Sequence, residues 1–220
     1  MISTGNDIVS LNAINKTRTN QAGFYSKILS PTEKALYKHA AFAATPFENF
    51  VWLLWSIKES AYKYLKRSNP GLVFIPIKFI VKQLSIPPGY ALKNFEATQT
   101  EGAGFENMAA FKGIITFGTN TLYSMSLIYS VLIVSVVNNN ENFENTYWGV
   151  KLIDNPGSDY QSKAARKFLT DRLHNVVPPG ELIISKNSSG IPIVLKDGEE
   201  LGIAISLSHH DRFVGYSFQV

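Results

Sequence analysis

Residues 55–63 read WSIKESAYK, with Lys58, Glu59 and Lys63 set into a helix that is otherwise building an apolar stripe. Phe47, Phe50, Val51, Leu54, Ala61, Tyr62 and Leu65 recur at three- and four-residue spacing, which predicts a helix over 46–67 with one buried face. Thr45, Pro46 and Glu48 have the form of a capping box with proline at the first helical position, and Ser68-Asn69-Pro70-Gly71 ends the run. Glu59 shares a face with Trp55 and Lys63. A Glu-to-Lys pair four apart on a wet surface, contributing about 0.3–0.5 kcal/mol, accounts for Glu59 and Lys63. It leaves Lys58, inside the apolar stripe, without a reason.

Around this helix the pattern is mixed. Residues 1–12 predict a short strand, with a Gly-Asn-Asp turn before Ile8-Val9-Ser10-Leu11. Ser30, Pro31 and Glu33 open a helix over 30–40, and FIPIKFIVKQL (74–84) alternates like a strand. Residues 93–107 are loop-like, and 111–117 with 122–137 supply two or three more strands. The polar break at Asn138–Asn142 is a boundary between a first unit, 1–140, and a second, 141–220. The second unit predicts a helix at 161–175 and strands at 182–186, 191–195 and around 203–220. The fold class expected is α+β, each half offering a helix and then strands.

The 220 residues contain no cysteine, which excludes disulfides, thiolate metal sites and cysteine nucleophiles. The longest apolar run, Leu122–Val137, is too short to span a bilayer and carries four serines, so paired buried strands suit it better. Nothing at the N-terminus has the form of a signal peptide, and a cytoplasmic protein with no membrane partner is expected. The net charge of +4 is unevenly spread: residues 16–82 hold eleven Lys/Arg against three Glu, whereas 151–220 balance eight of each sign. A concentrated basic surface points to an anionic partner, or else to a solvated face with none.

Three stretches carry the chemistry: GNDIVSL (5–11), WSIKESAYK (55–63) and ISLSHHDRFVGYSF (205–218), the last preceded by SGIPIV (189–194). In this order they resemble the 4′-phosphopantetheinyl transferase superfamily, whose pattern is a Gly-x-Asp strand, a (Trp/Phe)-x-x-Lys-Glu-(Ala/Ser)-x-x-Lys helix, and a Gly-x-Pro hairpin leading into a Ser-His-type strand. FYSKILSPTEKALYK (24–38) looks like the family's stretch between the first two motifs. The resemblance implies transfer of the phosphopantetheine arm of coenzyme A to a serine of an apo acyl or peptidyl carrier protein, with magnesium. Such a reaction needs hard oxygen ligands for the metal, cations on the phosphates, and an acceptor for the serine proton. By that resemblance Asp7 and Glu59 ligate magnesium, and Asp7, Glu59 and Lys63 form the catalytic group. Lys58, Lys63, Ser208 and His209 would then contact coenzyme A.

Two positions depart from the family pattern. Val9 stands where larger members carry a third acidic ligand, and Ile191 stands where the Gly-x-Pro motif often has lysine. The length is a further departure, because the short type of the family is about half as long and works as a trimer. An internal repeat resolves this. YSMSLIYSVLIVSVV (123–137) parallels AISLSHHDRFVGYSF (204–218), FKGIITF (111–117) has the position of SGIPIVL (189–195), and QSKAARKFLTDRLHN (161–175) is the counterpart of 46–67. The first half keeps the acidic motif and has Leu127 where the second has His209. A pseudo-twofold, two-lobed fold with one site at the join follows, each lobe a small antiparallel sheet packed with helices. Lys163 and Arg166 then join the candidates for the 3′-phosphate, and a monomer with one coenzyme A site is expected.

Two other readings compete. A degenerate member would bind coenzyme A or a carrier protein without catalysis, and Val9 and Ile191 favour it. A basic nucleic-acid-binding module is disfavoured: aromatic–glycine RNA signatures and zinc spacings are absent, and Trp52 and Trp55 sit in a helix.

Overall fold

The computed structural model describes residues 3–39, 42, 43, 45–106 and 108–220. In chain order the elements are β1 (Gly5–Ser10), α1 (Lys16–Thr19), α2 (Ala22–Tyr25), α3 (Pro31–Tyr37), α4 (Phe47–Lys66), β2 (Ile80–Ser85), β3 (Gln99–Ala103), β4 (Phe111–Phe117), β5 (Asn120–Ile128) and β6 (Leu132–Asn138). There follow β7 (Thr146–Leu152), α5 (Ser158–Leu173), β8 (Leu182–Lys186), β9 (Pro192–Lys196), β10 (Glu199–Glu200), β11 (Ala204–His210) and β12 (Phe213–Gln219). The chain is α+β. No helix among the described residues is long and apolar enough to cross a membrane.

Three antiparallel sheets form, in the orders β1-β6-β5-β4-β2, β11-β12-β7-β3 and β10-β9-β8. The long helix α4 packs on β1 and β6, and α5 on β12 and β11. One apolar core lies between α4 and the first sheet, with Phe50, Leu54, Ile57 and Val9. A second lies between the two large sheets, with Ile8, Val134, Trp148 and Val150, and a third lies under α5. The layers are therefore helix, sheet, sheet, helix.

The expected two-lobed repeat is visible in the strand order. Each half runs strand, long helix, and then five strands, and β1-β6-β5 has the same antiparallel order as β7-β12-β11. The ladders make the match residue by residue. Ser126 of β5 pairs with Ser135, which pairs with Asp7. Ser208, the counterpart of Ser126, pairs with Gly215, which pairs with Val150. Val150 thus stands where Asp7 stands in the first lobe.

Several expectations need correction. Residues 5–7 are the start of β1 rather than a turn, and Gly5 is needed there for closeness. A Cβ on Gly5 would lie 2.0 Å from the carbonyl oxygen of Ser60, so only glycine lets β1 reach the backbone of α4. Thr45 does not cap α4: the N-cap is Pro46, and the Thr45 hydroxyl is buried without a hydrogen-bond partner. The Ser30–Glu33 capping box does form at α3. Of 74–84, only Ile80–Ser85 is strand, because Pro76 opens a short 3-10 turn. The loop-like stretch 93–107 contains β3, which leaves the first unit and pairs with β7. Tyr216 donates its hydroxyl proton to Glu101 of β3, tying that strand to the second sheet. Strand β7 was not expected from sequence.

Candidate functional site

Strand β1 is the seam of the molecule. It ladders with β6 on one side, and on the other meets β11 and β12 through side chains. The Asn6 amide N–H donates to the Ser206 hydroxyl (3.0 Å) and Asn6 Nδ2 to the Ser208 hydroxyl (2.7 Å). The Ser10 amide donates to His210 Nδ1 (3.0 Å). The alternation of the strand then turns Asp7 and Val9 toward α4, where Val9 fills the apolar core.

On α4, Glu59 and Lys63 are one turn apart and face Asp7. Lys63 Nζ donates to Asp7 Oδ1 (3.0 Å) and to the Asn6 carbonyl (3.0 Å), and lies 3.4 Å from Glu59 Oε1. Trp55 Nε1 donates to Glu59 Oε2 (2.9 Å), which fixes the carboxylate from its other side. Burial pushes the Asp7 carboxyl up to about 7, against the pull of the Lys63 ammonium and with the Glu59 charge adding to the rise. Burial works against the charge on Lys63, but Asp7 and Glu59 outweigh it and raise its pKa.

From Lys63 a cleft of about 320 Å³ runs between α4, α5, β11 and the β8–β9 hairpin. Lys63, Lys66, Arg67, Arg166 and Lys186 line it with His209, Tyr62 and the Gly190–Pro192 turn, and no carboxylate is among its described lining residues. Burial lowers the pKa of His209, helped by the charges of Lys63 and His210. A larger hollow of about 410 Å³ lies on the first sheet beside Gln83, Lys112 and Glu141. It contains none of the candidate residues.

Lys63, Arg166 and His209 therefore line one cleft, Asp7 and Glu59 meet it through their ion pairs with Lys63, and three candidates are not brought there. Lys58 is fully buried, its ammonium 2.8 Å from Glu33 Oε2 and 2.5 Å from the Ile28 carbonyl oxygen. Glu33 also accepts from the amides of Ser30 (2.8 Å) and Val81 (2.8 Å). The charge inside the apolar stripe is thus half of an enclosed ion pair joining α4 to α3 and β2, and it has no path to coenzyme A. Ser208 is buried with its hydroxyl taken by Asn6. Lys163 lies exposed beside Asn155 and Asp159, because Ser162, Ala165 and Arg166 occupy the cleft face of α5. The residues missed as cleft lining include Tyr62, Lys66, Arg67 and Lys186. Lys66 and Arg67, about one turn beyond Lys63 at the end of the same helix, carried the local signal.

Magnesium suits the acidic end. Among the described residues no group of three His, Cys, Asp or Glu could hold a metal. Magnesium, however, is commonly held by one or two carboxylates, completing its shell with water and substrate phosphate. Asp7 Oδ2 is buried and has no hydrogen-bond partner, an acceptor of the kind such a cation satisfies.

Residues 3–103 match the family model of the 4′-phosphopantetheinyl transferase superfamily. Over that first part, just under half of its length, the chain resembles the superfamily. The match takes in β1, Glu33 and the whole of WSIKESAYK, and ends in β3, before the lobe that brings Arg166, Lys186 and His209. No curated protein and no solved structure gives a significant match.

Proposed function

We propose that this protein is a magnesium-dependent 4′-phosphopantetheinyl transferase acting from coenzyme A to a serine of an apo carrier protein. We also propose that its one site lies between a first lobe, about 1–140, and a second, about 141–220. The observation that supports this is the convergence of Asp7 and Glu59 on Lys63, at one end of a cleft whose charged residues among the described lining are all basic.

The serine oxygen attacks the pantetheine-bearing phosphorus of the coenzyme A pyrophosphate. The new phosphate–serine ester forms as the bond to the bridging oxygen breaks, and 3′,5′-adenosine diphosphate departs. Glu59, held by Trp55, takes the serine proton. Lys63 steadies charge on the phosphate oxygens, with His209, Arg166, Lys186 and Lys66 set along the leaving nucleotide. Asp7 and Glu59 would hold magnesium, which supplies Lewis-acid stabilisation of the pyrophosphate.

Incubation with coenzyme A, magnesium and a panel of apo carrier proteins should give the mass gain of one phosphopantetheine on the carrier. Binding of coenzyme A at one site per chain without any mass gain would favour a non-catalytic binder, the reading to which Val9 and the ion-paired state of Lys63 lend support. Absence of coenzyme A binding would sink both.

Carrier proteins present their serine at the start of an acidic helix, so a basic surface near Glu59 is the expected dock. Lys27 and Lys38 are exposed, and Lys34 is half-buried with its ammonium over the Tyr25 ring. Lys66 is half-buried and donates to the Leu72 carbonyl. Helix α3, with Lys34, is anchored through Glu33 to Lys58, the residue before Glu59. Arg67, also within the basic stretch 16–82, is engaged with the Pro192 and Ile205 carbonyls instead. Lys34→Glu with Lys38→Glu should raise KM for the carrier while kcat and coenzyme A affinity hold. The gap should narrow with salt, since the Debye length is only about 8–10 Å at ordinary ionic strength. Unchanged carrier binding at low salt in variants reversed at Lys27, Lys34, Lys38 and Lys66 would remove this dock.

A further inference from the structure

Arg67 follows the last residue of α4 and reaches out of the first lobe into the second. Its Nη2 donates to two carbonyls, Pro192 O (3.0 Å) on β9 and Ile205 O (2.9 Å) on β11. The internal repeat gives these two positions a meaning. Laying FKGIITF on SGIPIVL, and SMSL on SLSH, makes Pro192 the counterpart of Ile114 and Ile205 the counterpart of Tyr123. In the first lobe, Ile114 of β4 and Tyr123 of β5 are direct antiparallel partners. In the second lobe β9 and β11 belong to different sheets, and their counterpart positions share a guanidinium instead of a ladder. Pro192 has no N–H, so β9 cannot donate at this point. The cleft opens along the same line: Arg67, Gly190–Pro192 and Ile205–Leu207 all face it.

We propose that Arg67 is a positioning residue that holds the β8–β9 edge off β11, and so sets the slot that takes the phosphorylated nucleotide end of the donor. This rests on the transferase reading above. The two N–H bonds of Nη2 point in fixed directions in the guanidinium plane and so hold the two carbonyls at a set spacing, which a lysine ammonium, freely rotating on a flexible stem, does not reproduce. On this assignment Arg67 acts through the backbone of β9 and β11. Retaining its charge alone should not restore the slot.

The test compares the parent with Arg67→Met and Arg67→Lys, with folding checked by circular dichroism and melting temperature. Calorimetric titration with coenzyme A and with 3′,5′-adenosine diphosphate gives affinity without turnover. Steady-state transfer to a carrier protein then separates KM from kcat. Both variants should bind both nucleotides at least about tenfold more weakly, the size of losing charge-assisted hydrogen bonds, with kcat at saturating coenzyme A within about threefold of the parent. KM for the carrier should not move. A lysine variant with parental affinity would overturn the proposal, because charge alone would then suffice, and so would parental affinity in both variants. Should the methionine variant not fold, the lysine variant decides by the same criterion. A parent that binds neither nucleotide would instead overturn the transferase reading, and this inference with it.

Discussion

Lys58→Met should lower the stability of the folded chain by about 3–5 kcal/mol, the range measured when one partner of a buried ion pair is removed. For a chain of this length that corresponds to a fall in melting temperature of roughly 6–20 °C. Both side chains of the pair are fully enclosed, and burial lowers the Lys58 pKa against the pull of Glu33. Without the ammonium, the Glu33 carboxylate keeps only the amides of Ser30 and Val81, and the Ile28 carbonyl loses its donor. Pairing the change with Glu33→Gln should recover part of the loss, because the orphaned charge is then gone, and a double-mutant cycle by denaturant unfolding measures that coupling. Coenzyme A affinity of the Lys58→Met protein, measured below its melting transition, should match the parent. A stable variant with impaired coenzyme A binding would instead return Lys58 to the cleft.

That pair shows where sequence reading reaches its end. Lys58 stood out because a charge broke an apolar period, and Ser30 and Glu33 stood out as a capping box. Nothing in linear spacing joins residues 25 positions apart across a helix packing, so the sequence alone points Lys58 to ligand chemistry rather than to Glu33. The repeat was legible from Ser124–Leu127 against Ser206–His209, since the same alternation recurred. Strand β7 escaped because Gly149 interrupts TYWGVKL and reads as a break. The glycine is there because a Cβ would lie 2.7 Å from the Tyr216 ring. The edge strand β3 escaped for a different reason: QTEGA is short and polar, and it becomes a strand through pairing with β7. Cleft residues contributed by the β8–β9 hairpin, Lys186 among them, depend on how two lobes meet, which no local pattern encodes.

Glu59→Gln and Asp7→Asn carry the largest expected effect on activity. Losing a positioned proton acceptor removes about 10²–10⁴-fold in rate, and each change also takes a charged oxygen from the pair proposed to hold magnesium. Glu59→Gln retains an oxygen to accept from Trp55 Nε1, and its partly exposed position means the fold should persist. Asp7→Asn should be tolerated for another reason: burial already disfavours the Asp7 charge, so a neutral amide of the same shape is no worse placed in β1. Neither residue belongs to the nucleotide end of the cleft, so the affinity for 3′,5′-adenosine diphosphate should remain near that of the parent while transfer is lost. Single-turnover mass spectrometry of the carrier, with magnesium in excess and melting temperatures as the control, reads the two effects apart. Transfer near the parental rate in Glu59→Gln would remove Glu59 as the proton acceptor and shift the search to a water or to Asp7. Transfer near that rate in Asp7→Asn would leave Glu59 as the one remaining candidate anchor for the metal.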